Sequence, residues 1–176
     1  MRDIPEMNSA YNPGAWHDFG VGLVGASAAL LGLVFVVVSL HLKAVVNDSV
    51  LRRRAEIGLG LFATALAASA ALLIPGQSRK ALGIELMTIA LVYIGLSTWA
   101  TVLATQSSRG VSRDRLVRFI FGEFSAGLIF IGGLGLVVHA LGGAYLVAAG
   151  IVLAVLSSML ATWMLFVGLG AEQQEG

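Results

Sequence analysis

From Phe19 to Leu42 the chain reads FGVGLVGASAALLGLVFVVVSLHL, an apolar run interrupted only by small residues, two serines and one histidine. As one helix it rises roughly 36 Å, enough to cross a hydrocarbon core of about 30 Å. Asn47, Asp48, Ser49 and the arginines 52–54 then break the pattern. Glu56 opens a second apolar run that stops at Pro75 and Gly76, a helix breaker followed by a residue that relaxes a turn. The link GQSRK leads into a third run, which ends in Gln106, Ser107 and Ser108, and the basic link RGVSRDR follows. From Leu116 to Phe166 the chain is apolar almost throughout, about fifty residues or roughly 75 Å as one helix, so it must fold back. Gly142 and Gly143 mark the place.

The pattern therefore predicts an all-α membrane bundle of five transmembrane helices at about 19–42, 55–74, 81–105, 116–140 and 144–168. A polar N-terminal tail (1–15) precedes it, the helical domain covers 16–169, and a short acidic tail expected to be disordered (170–176) follows. The tail MRDIPEMNSAYNPGA lacks the basic start and apolar core of a cleavable signal, so the first span should be retained.

Composition reinforces this picture. Of 176 residues, 57% are hydrophobic and 12% charged, more apolar surface than a water-soluble domain of this size buries. A formal net charge of +1 gives no field for nucleic acid, and the absence of cysteine removes disulfides, thiol nucleophiles and cysteine-ligated metals. Charge also sets an expected orientation. The links between helices one and two and between three and four hold Lys43, Arg52, Arg53, Arg54, Arg109, Arg113, Arg115 and Arg118, against Arg2, Arg79 and Lys80 on the other side. The positive-inside rule then puts the N-terminus outside and the C-terminus in the cytoplasm. Tyr93 and Trp99 fit no interfacial aromatic belt and are expected to pack between helices.

The first helix carries the main candidate site. Steps of four and three along Asp18, Gly22, Gly25, Ala29, Gly32, Val36, Ser39 and Lys43 meet almost nothing large, so something should lie close against this face. In lipid such faces let backbones approach, which makes helix packing the first reading. The alternative is a narrow path through a homo-oligomer, with Asp18 at one mouth and Ser39 and Lys43 at the other. Helix five has a similar line, Gly150, Ala154, Ser157, Ala161 and Gly168, and helix four has Gly132, Gly133 and Gly135.

Ionisable groups at membrane depth are costly and thus functional candidates. They are Glu56 at the inner start of helix two, Glu85 near the outer end of helix three, and Glu123 about two turns into helix four, where salt bridges to Arg118 and the arginines of the first link are expected. On the outer side His17, Asp18, Glu85 and His139 are weak metal candidates, their spacing demanding no site, and His17 with His139 is the one pairing that a haem iron would use. The reading expects no metal and no cofactor. No nucleophile elbow, phosphate loop or HExxH motif occurs, and the loops are too short for a catalytic pocket.

The segment Ala15-Trp16-His17-Asp18-Phe19, with Gly25 and then Ala28-Ala29-Leu30-Leu31-Gly32-Leu33-Val34-Phe35-Val36-Val37-Val38-Ser39-Leu40, resembles the N-terminal signature of a group of small, uncharacterised bacterial integral membrane proteins. The resemblance covers about the first span and implies a multi-pass protein of the bacterial cytoplasmic (inner) membrane. It brings no activity and no site residues. The expected function is that of a non-enzymatic membrane protein, an oligomerising accessory, regulatory or scaffolding subunit partnered by the bilayer and by itself or another membrane protein. A homo-oligomeric ion or small-solute channel lined by helix one is the alternative.

Overall fold

The computed structural model describes residues 10–107 and 113–172. Among these there are helices and turns and no strands. A single 3-10 turn, Pro13–Trp16, precedes six helices: α1 (His17–Leu40), α2 (Leu42–Asn47), α3 (Ser49–Ala71), α4 (Arg79–Ser107), α5 (Arg113–Val138) and α6 (Gly143–Glu172). The five long helices fall where the apolar pattern predicts them, with different ends. The whole of the expected first nine residues of the polar tail and residues 173–176 lie outside the described residues, whereas α6 runs on through 170–172.

Local chemistry accounts for the shifted boundaries. Leaving helical geometry at His41 (φ −110°, ψ 27°) splits off the short α2. Asp48, extended between α2 and α3, accepts the first helical hydrogen bond from the Arg52 N–H at 3.0 Å, so α3 starts ahead of its arginines instead of after them. At its other end α3 finishes at Ala71, before Pro75, whose ring disfavours helical geometry at the preceding residue. Ser78 caps α4, its hydroxyl accepting from the Ala81 N–H at 3.2 Å, and the helix begins two residues earlier than the pattern suggests.

The turn between α5 and α6 is built around left-handed residues. His139 (φ 60°), Leu141 (φ 61°) and Gly142 (φ 62°) all have positive φ. His139 occupies the position after the helix end where glycine is usual, and the Ala140 N–H reaches back to the Gly135 carbonyl at 3.0 Å, the long-range bond of a Schellman ending. The N-terminal segment fastens this turn. Tyr11 accepts from the Gly142 N–H at 3.0 Å and its ring lies 4.2 Å from that of His139; the Ala144 N–H donates to the Ala10 carbonyl at 3.1 Å. Trp16 stands edge-on to Tyr145 at 4.9 Å and to Phe19 at 5.7 Å.

Helices α3, α4, α5 and α6 enclose the core, in which Ala65, Ala68, Leu86, Ala90, Ile129, Ile151 and Ala154 are inaccessible. Small residues set the spacing. A Cβ on Gly83 of α4 would stand 2.5 Å from the Gly133 carbonyl of α5, and one on Gly150 of α6 2.7 Å from the Ile129 side chain. These helices thus touch through their backbones, the mode of association that lipid favours. At the opposite end from the Tyr11 seam, Val45, Leu51, Ala55 and Leu165 form a second small cluster.

Large apolar side chains cover the outside: Phe35, Leu40, Leu96, Trp99, Leu160 and Trp163 are each more than half exposed. Trp99, at 65% exposure, therefore faces outward and not into the bundle, against the expectation drawn from its position, while Tyr93 does pack against the core. The reason is that α4 turns its Leu82, Leu86, Ala90 side to the core, and Trp99 projects from another side of the helix. Three helical segments, Pro13–Leu40, Arg79–Val102 and Gly143–Gly168, are long and apolar enough to cross a membrane. The basic residues 52–54 and Glu56 shorten the apolar part of α3, and the apolar part of α5 is Gly122–Val138.

Candidate functional site

Helix α1 lies at the edge of the bundle against α3, and it buries a single line, Gly20, Ser27 and Val34. A Cβ on Gly20 would meet Leu73 at 3.0 Å, Leu72 at 3.2 Å and the Ser69 carbonyl at 3.3 Å. At 3.6 residues per turn the small-residue stripe is centred about 170° from this line. All of its members, Asp18, Gly22, Gly25, Ala29, Gly32, Val36, Ser39 and Lys43, are exposed. No atom of the described residues would lie within 4 Å of a Cβ added at Gly22, Gly25 or Gly32. Among the described residues, the close neighbour expected for this face is therefore not another helix of the same chain. The similar stripes of α5 and α6 behave differently: Gly132, Gly133, Gly135 and Gly150 are buried against neighbouring backbones or side chains.

The two ends of the α1 stripe differ in chemistry. Asp18 is fully exposed and lies 3.4 Å from His17 Nδ1. At the other end the Ser39 hydroxyl donates to the Phe35 carbonyl at 2.8 Å, which leaves exposed Lys43 as the charged group there.

The metal candidates His17, Asp18, Glu85 and His139 are engaged elsewhere. Besides the His17–Asp18 contact, Glu85 accepts from Gln77 Nε2 at 2.6 Å and His139 stacks on Tyr11. Among the described residues no three histidines, aspartates or glutamates are grouped so as to hold a metal ion.

The acids Glu56 and Glu123 have two different settings. Glu56 lies between Arg52 (3.8 Å) and Arg53 (3.7 Å) on the first turns of α3. Glu123, on α5, faces α4, with the Ser97 hydroxyl within hydrogen-bonding reach of its carboxylate and Tyr93 nearby. Its Oε1 is buried without a hydrogen-bond partner. Arg52 and Arg53 thus pair with Glu56 on their own helix and not with Glu123, because three- and four-residue spacings already bring the groups together. The side chains of Arg54, Arg109, Arg113, Arg115 and Arg118 lie outside the described residues.

One link at this end is not visible in the sequence pattern: Arg53 Nη2 donates to Thr101 Oγ1 at 2.8 Å, tying the start of α3 to the end of α4 across 48 positions. A threonine two turns from the end of an apolar helix carries no signal of its own. Only the alternation of helix direction, which puts the two ends side by side, would have suggested it.

Comparison of the chain with protein-family models, curated proteins and solved structures returned no match. The fold and its outer surface define an all-helical bundle compatible with a membrane protein, several of whose helices suit a bilayer.

Proposed function

We propose that this chain is a five-span protein of a bacterial cytoplasmic membrane, N-terminus outside, that has no catalytic chemistry and serves as an oligomerising accessory, regulatory or scaffolding subunit. The observation that carries the reading is the bare α1 face, diametrically opposite the line that docks α1 on α3. A helix that needed only to fill lipid would gain dispersion contacts from larger side chains on its outward face. Glycines at 22, 25 and 32 give up those contacts within the monomer and suit the close approach of another backbone.

Five crossings are supported by packing, since α3 and α5 lie alongside the three helices that are long and apolar enough to span, and share one core with them. The eight-to-three distribution of basic residues supports the orientation. A cysteine placed at Ser78, in the turn before α4, is expected to be labelled by a membrane-impermeant reagent from outside the cell; labelling only from the cytoplasm would overturn the orientation.

A channel is the second reading, favoured by the charged ends Asp18 and Lys43 of the same face. Mass determination in detergent or nanodiscs together with ion flux in liposomes tests both. A closed oligomer without flux is the expected result, a conducting ring would establish the channel, and a strict monomer would remove the channel and the self-association.

A further inference from the structure

Helices α3 and α4 part along one side and leave a groove of about 580 Å³ open to the outside of the bundle. Its α3 wall is low, formed by Gly60, Ala63 and Ala67, and its α4 wall by Ile89, Val92 and Leu96. Tyr93 closes the floor, its ring 3.6 Å from where a Cβ on Gly60 would stand. The groove follows α3 from Arg53 to Ala67, about 21 Å of helix.

Its polar groups are distributed unevenly. Two hydroxyls in the deep half turn to their own backbones, Thr64 to the Gly60 carbonyl at 2.8 Å and Thr88 to Ile84 at 2.9 Å, so the deep part offers hydrocarbon surface alone. The inner mouth holds Arg53, 21% exposed and fixed by Thr101, with Glu56 beside it and Trp99 on the rim. Arg52 and Arg53 share that one acid, which leaves the mouth net positive. An Arg fork presents five N–H donors suited to phosphate oxygens, and indole rings sit well at headgroup depth.

We propose that this groove is a lipid site, holding an acyl chain of an anionic phospholipid whose phosphate meets Arg53 at the mouth. The inference rests on α3 and α4 being membrane spans as proposed above. A zwitterionic lipid would leave the positive mouth without its complement, whereas basic pockets between helices on the cytoplasmic side suit anionic headgroups.

The test uses the full chain in nanodiscs with Trp16→Phe and Trp163→Phe, so that Trp99 is the one remaining tryptophan. Quenching of Trp99 by brominated phosphatidylglycerol is compared with quenching by brominated phosphatidylcholine. Phosphatidylglycerol should reach half-quenching at about fivefold lower mole fraction, the factor expected from one basic residue near an anionic surface. Arg53→Gln should abolish that preference. Filling the groove with Ala63→Phe and Ala67→Phe should abolish it too, although the arginine remains. Equal quenching by both lipids overturns the site and leaves the spans standing. A preference that survives the filled groove reduces the effect to a diffuse basic surface and also overturns it. Absence of quenching by either lipid would remove the spans and the site together.

Discussion

Gly83→Ala should lower the unfolding midpoint by roughly 5–10 °C, while Gly22→Ala should leave it unchanged or slightly higher. The chemical change is the same methyl group; the surroundings decide the sign. At Gly83 the new carbon would stand 2.5 Å from the Gly133 carbonyl oxygen and 2.8 Å from Val137 Cγ2. The obstacle is backbone, which cannot rotate out of the way, so α4 and α5 must move apart. Gly133 is in the reciprocal position, since its own added carbon would lie 2.8 Å from the Gly83 carbonyl. Overpacking of this kind costs about 1–3 kcal/mol. At Gly22 there is open space, and what remains is the intrinsic helix preference of alanine over glycine, up to about 1 kcal/mol. Thermal melts followed by circular dichroism in detergent decide the matter. Equal losses for the two variants would mean that α1 is packed as tightly as α4.

The second large effect is expected on association. Gly25→Leu combined with Gly32→Leu should weaken self-association at least about tenfold, or 1.4 kcal/mol, without altering the melt of the monomer. Both positions face outward with none of the described residues near them, so two leucines fit the monomer and hold an approaching helix away. Gly20→Leu is the informative contrast. Its side chain would strike Leu72, Leu73 and the Ser69 carbonyl, undocking α1 from α3 and lowering the melt. Energy transfer between labelled copies in nanodiscs measures the first effect. Unchanged association in the double variant would sink the α1 interface.

How far the sequence reveals this molecule depends on which interactions are local. Helix positions follow from runs of apolar residues and from breakers such as Pro75, and the short reach of both signals is why five long helices appear where they are expected. Helix ends depend on single capping groups: the Ser78 hydroxyl and the extended Asp48 move two starts toward the N-terminus. A left-handed histidine cannot be anticipated where glycine usually ends a helix, because Tyr11, more than a hundred positions away, helps to hold it.

The stripe on α1 was visible as a stripe, but its orientation was not. Gly22, Gly25 and Gly32 read like Gly132 and Gly150, yet the former face outward and the latter inward. Period shows which residues share a side; only the neighbouring helices show what that side meets. The Arg53–Thr101 bond and the groove it closes depend on how α3 and α4 diverge, which no spacing within either helix encodes.

The seam at Tyr11 bears on the order in which the molecule is made. During synthesis α1 leaves the ribosome well before the Gly142 N–H, the Ala144 N–H and the Tyr145 ring that anchor its leading end. Until that final hairpin is in place, α1 is held by α3 alone. Formation of the α5–α6 turn is thus what fastens the leading end of α1, so that a copy without it presents a looser outward stripe to its neighbours.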